Sequence, residues 1–199
     1  MSTKANCVSL RPFDVKGLKN SHFSNIIKEI DKPGFVKVDN MDIEIKKMQT
    51  DEEKKGKAFV HWRSWHTAYP GLVNREYLDN LTLEKCEEIA IKWPDNILIA
   101  KNKEQVIGFI GYGKSKENTN AGEIFALYVL PEYCGKGIGS KLMESGLDLL
   151  RMYPQVYVWL LKENKKAFRF YKKCGFMPDG KEKMSESVGA AGIRMTLYR

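Results

Sequence analysis

A chain of 199 residues, 43% hydrophobic and 29% charged, has room for one ordinary domain with a real core, burying roughly 70% of the surface its unfolded chain exposes. No stretch approaches the ~18 apolar residues of a membrane span, so an integral membrane protein is excluded. The formal charge of +8 is spread along the chain with acids interleaved and forms no aromatic-interleaved basic stripe, so nucleic acid is not an expected partner; a solvated surface accounts for the charge, which would also steer a polyanionic ligand inward.

The first residues, Met-Ser-Thr-Lys-Ala-Asn-Cys-Val-Ser-Leu, lack an apolar signal core, and the expected location is the cytoplasm. Cys7, Cys86, Cys134 and Cys174 are widely spaced, without C-x-x-C pairs or nearby histidines, which fits reduced thiols and implies no metal. Residues 1–40 show no sustained apolar period. The turn signal Lys32-Pro33-Gly34 divides a short helix, His22 to Ile30, from Phe35-Val36-Lys37-Val38, and the segment reads as an N-terminal extension of a domain over residues 41–199. Asp42-Ile43-Glu44-Ile45-Lys46 alternates polar and apolar as a first strand does, so Met41 could equally be an alternative start.

Thr50, followed by Asp51-Glu52-Glu53, predicts an N-cap and a helix through Trp62 and Trp65 to about Thr67, broken at Tyr69-Pro70-Gly71. Trp62, Trp65, His66 and Tyr69 share one face of that helix. Core packing is the ordinary reading of such a face. His61 and His66 lack the i, i+4 spacing of a helical metal pair and are given no chemistry. A second helical region covers Arg75 to Lys92, and Ile97 to Ala100 with Val106 to Tyr112 form a hairpin-like pair of strands. Lys114 to Gly122 reads as a polar loop.

Glu123 to Leu130 is nearly all apolar, predicting a strand buried on both faces and ended by Pro131. Cys134-Gly135-Lys136-Gly137-Ile138-Gly139-Ser140-Lys141 follows at once and leads into a helix from Ile138 to Met152. A glycine-rich turn feeding a helix start makes an anion cradle, because backbone N–H groups and the positive end of the helix dipole face the ligand. The P-loop pattern fails, since Ser140-Lys141 inverts its Lys-Ser/Thr, and Gly135, Gly137 and Gly139 make G-x-G-x-G where a dinucleotide fingerprint needs G-x-G-x-x-G. A nucleotide-binding oxidoreductase is therefore disfavoured. Val156 to Leu161 is a further strand, Asn164 to Cys174 a helix stopped by Gly175, and two strands close the chain near Phe176 to Met184 and Ile193 to Tyr198.

The loop from Cys134 to Leu142 resembles the acyl-CoA pyrophosphate loop of the GNAT superfamily of N-acetyltransferases, [QR]-x-x-G-x-[GA], with Cys134 where Gln or Arg is usual. Asn164-Lys-Lys-Ala-Phe-Arg-Phe-Tyr-Lys-Lys-Cys-Gly-Phe176 resembles the family motif N-x-x-A-x-x-F-Y-x-x-x-G-F, and the element order from Asp42 to Arg199 matches as well. The resemblance implies an α/β fold, a mixed, partly antiparallel sheet flanked by helices. It also implies transfer of acetyl from acetyl-CoA to a primary amine, leaving CoA as product, with family members often pairing as homodimers. Cofactor roles carry over to Leu127, Tyr128 and Val129 through a splayed strand backbone, to Cys134, Gly135, Lys136, Gly137, Ile138, Gly139 and Ser140 in the loop, and to Asn164, Ala167 and Tyr171 on the later helix.

Tyr171 lies one heptad after Asn164 on the same helical face and is the expected acid for the departing thiolate. Glu123, on the face of Phe125, Leu127 and Val129 by period-two alternation, is the expected base for the amine, directly or through water; a solvated strand-end glutamate is the alternative. Trp65 and Tyr69 are the expected acceptor wall, with core packing as the alternative. A small-molecule amine and a protein N-terminus both remain open as acceptor. A non-catalytic acyl-CoA-binding regulatory or partner-binding module would keep the fold but has less need of Tyr171.

Overall fold

The computed structural model describes residues 41–199 in full and the backbone of residues 34–38; the helix expected over His22 to Ile30, and Cys7, lie outside the described residues. An eight-stranded sheet forms the frame, ordered β1-β2-β3-β4-β5-β6-β8-β7. The strands are β1 (Gly34–Val38), β2 (Met41–Lys47), β3 (Ile97–Asn102), β4 (Gln105–Lys114), β5 (Gly122–Val129), β6 (Gln155–Leu161), β7 (Met177–Ser185) and β8 (Ala190–Tyr198). Every neighbouring pair is antiparallel except β5 and β6. Gly34–Val38, inside the segment read as an extension, thus pairs with β2 as the sheet edge.

Among the described residues five helices cover the sheet: α1 (Asp51–Ala68), α2 (Arg75–Asn80), α3 (Leu83–Lys92), α4 (Ile138–Leu149) and α5 (Lys165–Lys173). Their starts follow from the capping residues. Thr50 Oγ1 accepts from the Glu53 N–H while Glu53 reaches back to the Thr50 N–H, a reciprocal capping box. The region read as one helix over Arg75 to Lys92 is two, because Thr82 Oγ1 accepts from the Lys85 N–H and starts α3 anew. A threonine hydroxyl competes with the helix for backbone donors, and here it wins at the junction.

β4 is buried from Val106 to Tyr112, sandwiched between α1 on one face and α4 on the other. A Cβ on Gly146 of α4 would fall 2.6 Å from Ile110 Cδ1, so α4 lies against β4 closely enough that a larger residue there would make the Ile110 side chain shift. Two bulges re-aim side chains along the central strands. Ile107 is the extra residue of β4 opposite Ala100 and Lys101, and Phe125 is the extra residue of β5 opposite Gly111 and Tyr112.

Candidate active site

β5 and β6 are paired only from Gly122 to Ile124 against Val156 to Val158. Beyond that point the parallel ladder stops and the strands part. The Leu130 N–H bonds the Ile107 carbonyl across β4, and antiparallel alternation then turns the backbone groups of Leu127 and Val129 away from β4, toward the opening, while those of Tyr128 face β4. The Val129 carbonyl is engaged by Ser64 Oγ and by Cys134 Sγ, each at 3.5 Å. Ser64 is buried on α1 and carried no signal in the sequence beyond its helical position.

Below the opening, Pro131–Tyr133 makes a single 3-10 turn and the chain enters the glycine loop. Gly135 and Gly137 have φ of +80° and +81°, the left-handed region that only glycine occupies without strain, and Gly137 is the N-cap of α4. The first α4-type bond is Lys141 N–H to the Gly137 carbonyl, which leaves the N–H groups of Ile138, Gly139 and Ser140 without an intrahelical acceptor at the helix start. Gly139 has no such φ, and a Cβ there would touch Phe170 at an ordinary 3.7 Å.

Loop and α5 together enclose a cleft of about 450 Å³. Of the residues expected to hold the cofactor, Val129, Cys134, Gly135, Gly137, Gly139 and Ser140 line it. Tyr133, Lys166, Arg169, Phe170 and Lys173 line it too and were not anticipated. Lys136 turns its ammonium over the Tyr133 ring, 5.2 Å from the centroid, and the Ile138 side chain is buried in the core, so both serve the loop through backbone. Cys134 is only 3% exposed, its thiol directed at the Val129 and Leu130 carbonyls at 3.5 and 3.3 Å. The thiol thus ties the start of the loop to the end of β5.

Asn164 caps α5, its Oδ1 accepting from the Ala167 N–H at 3.0 Å, and Ala167 and Tyr171 form the buried face of that helix. Tyr171 is fully buried, edge-on to Phe170 and Phe176. Its phenol reaches the neighbourhood of Tyr69: burial, with the Tyr128 and Tyr171 phenols close by, pushes Tyr69 well above the usual tyrosine range.

A matching family model covers residues 59–176: the acetyltransferase (GNAT) family. The chain belongs to that family. It is 30% identical over 122 residues to an uncharacterised N-acetyltransferase of Bacillus subtilis, covering 57% of this chain and 69% of the relative. Against a spermidine N(1)-acetyltransferase of Thermoplasma acidophilum it is 26% identical over 146 residues, 68% of this chain and 89% of the relative. The fold superposes with a TM-score of 0.64 and 25% identity on the crystal structure of the PaiA N-acetyltransferase of Thermoplasma acidophilum in complex with coenzyme A, over 80% of this chain and all of that one. Acetyl-CoA is the acyl donor of this GNAT enzyme. Its cleft fits that donor: two left-handed glycines, the helix-start residues Gly139 and Ser140 and three cations line it, and no carboxylate is among its lining residues.

The base and acceptor residues expected from the sequence sit differently. The Phe125 bulge breaks the period-two count, so Glu123 projects on the face of Tyr128 and α1 and not on that of Leu127 and Val129. Glu123 is fully buried, with Oε2 accepting from Ser115 Oγ at 3.0 Å, which removes the solvated strand-end alternative. Trp65 is 1% exposed; its indole N–H donates to the Tyr128 hydroxyl at 2.7 Å and its ring packs on Tyr69 and Tyr77. The expected wall of Trp65 and Tyr69 is therefore an interior layer behind the site. Trp62 and His66, read on the same face, are only half-buried and pack their rings against each other at 5.2 Å.

The stretch read as a polar loop carries structure of its own. Glu117 accepts from Trp159 Nε1 at 3.0 Å and from Arg194 Nη1 at 2.8 Å, and Asn118 donates to the Tyr157 hydroxyl at 3.2 Å. Arg194 also donates to Asp179 at 2.6 Å and lies 4.0 Å over the Tyr157 ring. This network pins the β4–β5 loop, and with it Ser115, to β6, β7 and β8. Among the described residues no group of three His, Cys, Asp or Glu could hold a metal, and no helix is long and apolar enough to cross a membrane.

Proposed function

We propose that the enzyme acetylates a primary amine by direct attack, with Glu123 as base and Tyr171 as acid. The observation that carries the reading is the end of the β5–β6 pairing just past Glu123, which leaves the Leu127 and Val129 backbone groups turned toward the opening, with Glu123 on the same strand and Tyr171 on α5 both buried. Acetyl-CoA supplies the thioester carbonyl and the thiol leaving group. Leu127 and Val129 bind pantetheine through the strand backbone, and the Val129 N–H polarises the acyl oxygen. Gly135, Gly137, Gly139 and Ser140 hold the pyrophosphate.

An amine of pKa about 10 arrives as ammonium, so Glu123, held by Ser115, takes its proton directly or across one water. Tyr171 Oη holds the proton that the departing sulfur requires. Orientation of amine against thioester contributes the larger share, roughly 7 to 11 kcal/mol in well-aligned systems. The spermidine acetyltransferase among the relatives makes polyamines the first acceptors to try, and a protein N-terminus presents the same nucleophile.

Thiol release from acetyl-CoA across spermidine, spermine, free amino acids, amino sugars and short peptides tests the reading. Release with at least one primary amine, stopping when that amine is omitted, is expected. CoA binding with no release on any amine would turn the reading toward a non-catalytic acyl-CoA-binding module.

A further inference from the structure

We propose that Lys166, Arg169 and Lys173 form a separate subsite for a phosphomonoester, and that in acetyl-CoA they read the 3′-phosphate of the adenosine end. The inference rests on the acyl-CoA assignment of the cleft and names which of its phosphates each wall takes. The three residues recur at i, i+3 and i+7 along α5, one face of the helix, and all three line the cleft opposite the glycine loop. That face is distinct from the inner one of Asn164, Ala167 and Tyr171, which is buried.

The two walls differ in what they can neutralise. Backbone N–H groups at the start of α4 present roughly half a positive charge, which suits diester-type phosphates carrying one charge each. A terminal phosphomonoester carries roughly two charges and three strong acceptor oxygens, and charged side chains satisfy it better than a dipole does. Other exposed lysines that neighbour an acid on the surface pair with it, as Lys141 does with Glu144 and Lys162 with Glu182. Along the cleft three cations converge with no acidic residue among the lining side chains. Like charges held together on one helix face repel by a few tenths of a kcal/mol per pair, and a bound dianion relieves that repulsion. Arg169, at the middle of the row, offers the planar fork that grips two phosphate oxygens at once.

Isothermal titration calorimetry of CoA and 3′-dephospho-CoA against the wild type and the Lys166→Gln, Arg169→Gln, Lys173→Gln triple variant tests the assignment without any turnover. The wild type should bind CoA about tenfold or more tightly than dephospho-CoA, the worth of one or two charge-assisted hydrogen bonds. In the triple variant that preference should fall below about threefold while dephospho-CoA affinity stays close to the wild-type value. Arg169→Gln alone should remove the largest share. Equal affinity of the wild type for the two ligands would overturn the proposal, and so would a triple variant that weakens both ligands alike, because the row would then serve the pyrophosphate. A wild type that binds neither ligand would instead refute the acyl-CoA assignment itself. Unchanged thermal melting of the variant is expected, since all three side chains lie outside the buried core.

Discussion

The Trp65 indole N–H and the Tyr128 hydroxyl, 2.7 Å apart, join α1 to β5 at the level of the cleft. The contact decides what the aromatic helix does: it fixes the strand whose backbone we propose serves the cofactor. Trp65→Phe keeps a ring but removes the indole donor from a phenol that Tyr69 also contacts, a loss of about 0.5 to 1.5 kcal/mol. Urea unfolding should show that loss, and Trp65→Phe combined with Tyr128→Phe should lose clearly less than the sum of the single changes. Full additivity would mean that the hydrogen bond couples nothing.

Tyr171→Phe removes one hydroxyl from a fully buried ring without opening a cavity. If the phenol supplies the proton to the leaving sulfur, turnover should fall about tenfold or more, while CoA affinity by calorimetry stays within about twofold. A fall in affinity equal to the fall in turnover would make Tyr171 a binding residue only.

Glu123→Gln keeps shape and removes the base. The proton must then leave the ammonium before binding, so kcat/KM for the variant should climb tenfold per pH unit toward the amine pKa near ~10. The wild-type profile should level off earlier. Parallel profiles would remove Glu123 from proton transfer. Ser115→Ala, which takes away the 3.0 Å hydrogen bond to Oε2, should give a smaller loss with the wild-type profile shape, as expected of a positioning residue.

These expectations show where the sequence was readable. The loop from Cys134 to Ser140 and the capping asparagine of α5 are local features, set by glycine φ values and one side-chain hydrogen bond, and they could be read from neighbours in the chain. Glu123 could be located but not aimed, because the Phe125 bulge depends on how β5 registers against Gly111 and Tyr112. Trp65 could be put on a helical face but not given its partner, 63 positions away. The row Lys166, Arg169, Lys173 went unread, because only the approach of α5 to the loop gives it a cleft to line.

Thiol chemistry separates the loop from its surface neighbours. Cys134 sits where a helix start would favour a thiolate, yet it is 3% exposed and turned toward two carbonyls. Cys174 is half-buried at the end of α5, and Cys86 is fully buried, with burial pushing its thiol up to about 12. Mass spectrometry after brief iodoacetamide treatment should therefore find Cys174 labelled ahead of Cys134 and Cys86. Cys134 labelling first, and protected by acetyl-CoA, would mean that the loop opens in solution.

Lys57 gives the molecule a measurable alkaline signature. It is 1% exposed on α1, its ammonium 4.9 Å over the Phe109 ring, and burial lowers its pKa from 10.5 to about 8, with nearby Cys86 acting weakly the other way. Between about pH 8 and 10.5 the unfolded chain therefore binds more protons at this site than the folded one, and linkage makes stability rise with pH across that window. Below pH 8 both states carry the charge and the penalty for burying it is constant. Lys57→Met replaces the amine with an apolar chain of similar length, so it should flatten the difference between pH 7.5 and 9.5 that the wild type shows. A variant less stable than the wild type at both pH values, with the same slope between them, would mean that Lys57 is buried as a satisfied cation and that its charge contributes to the fold.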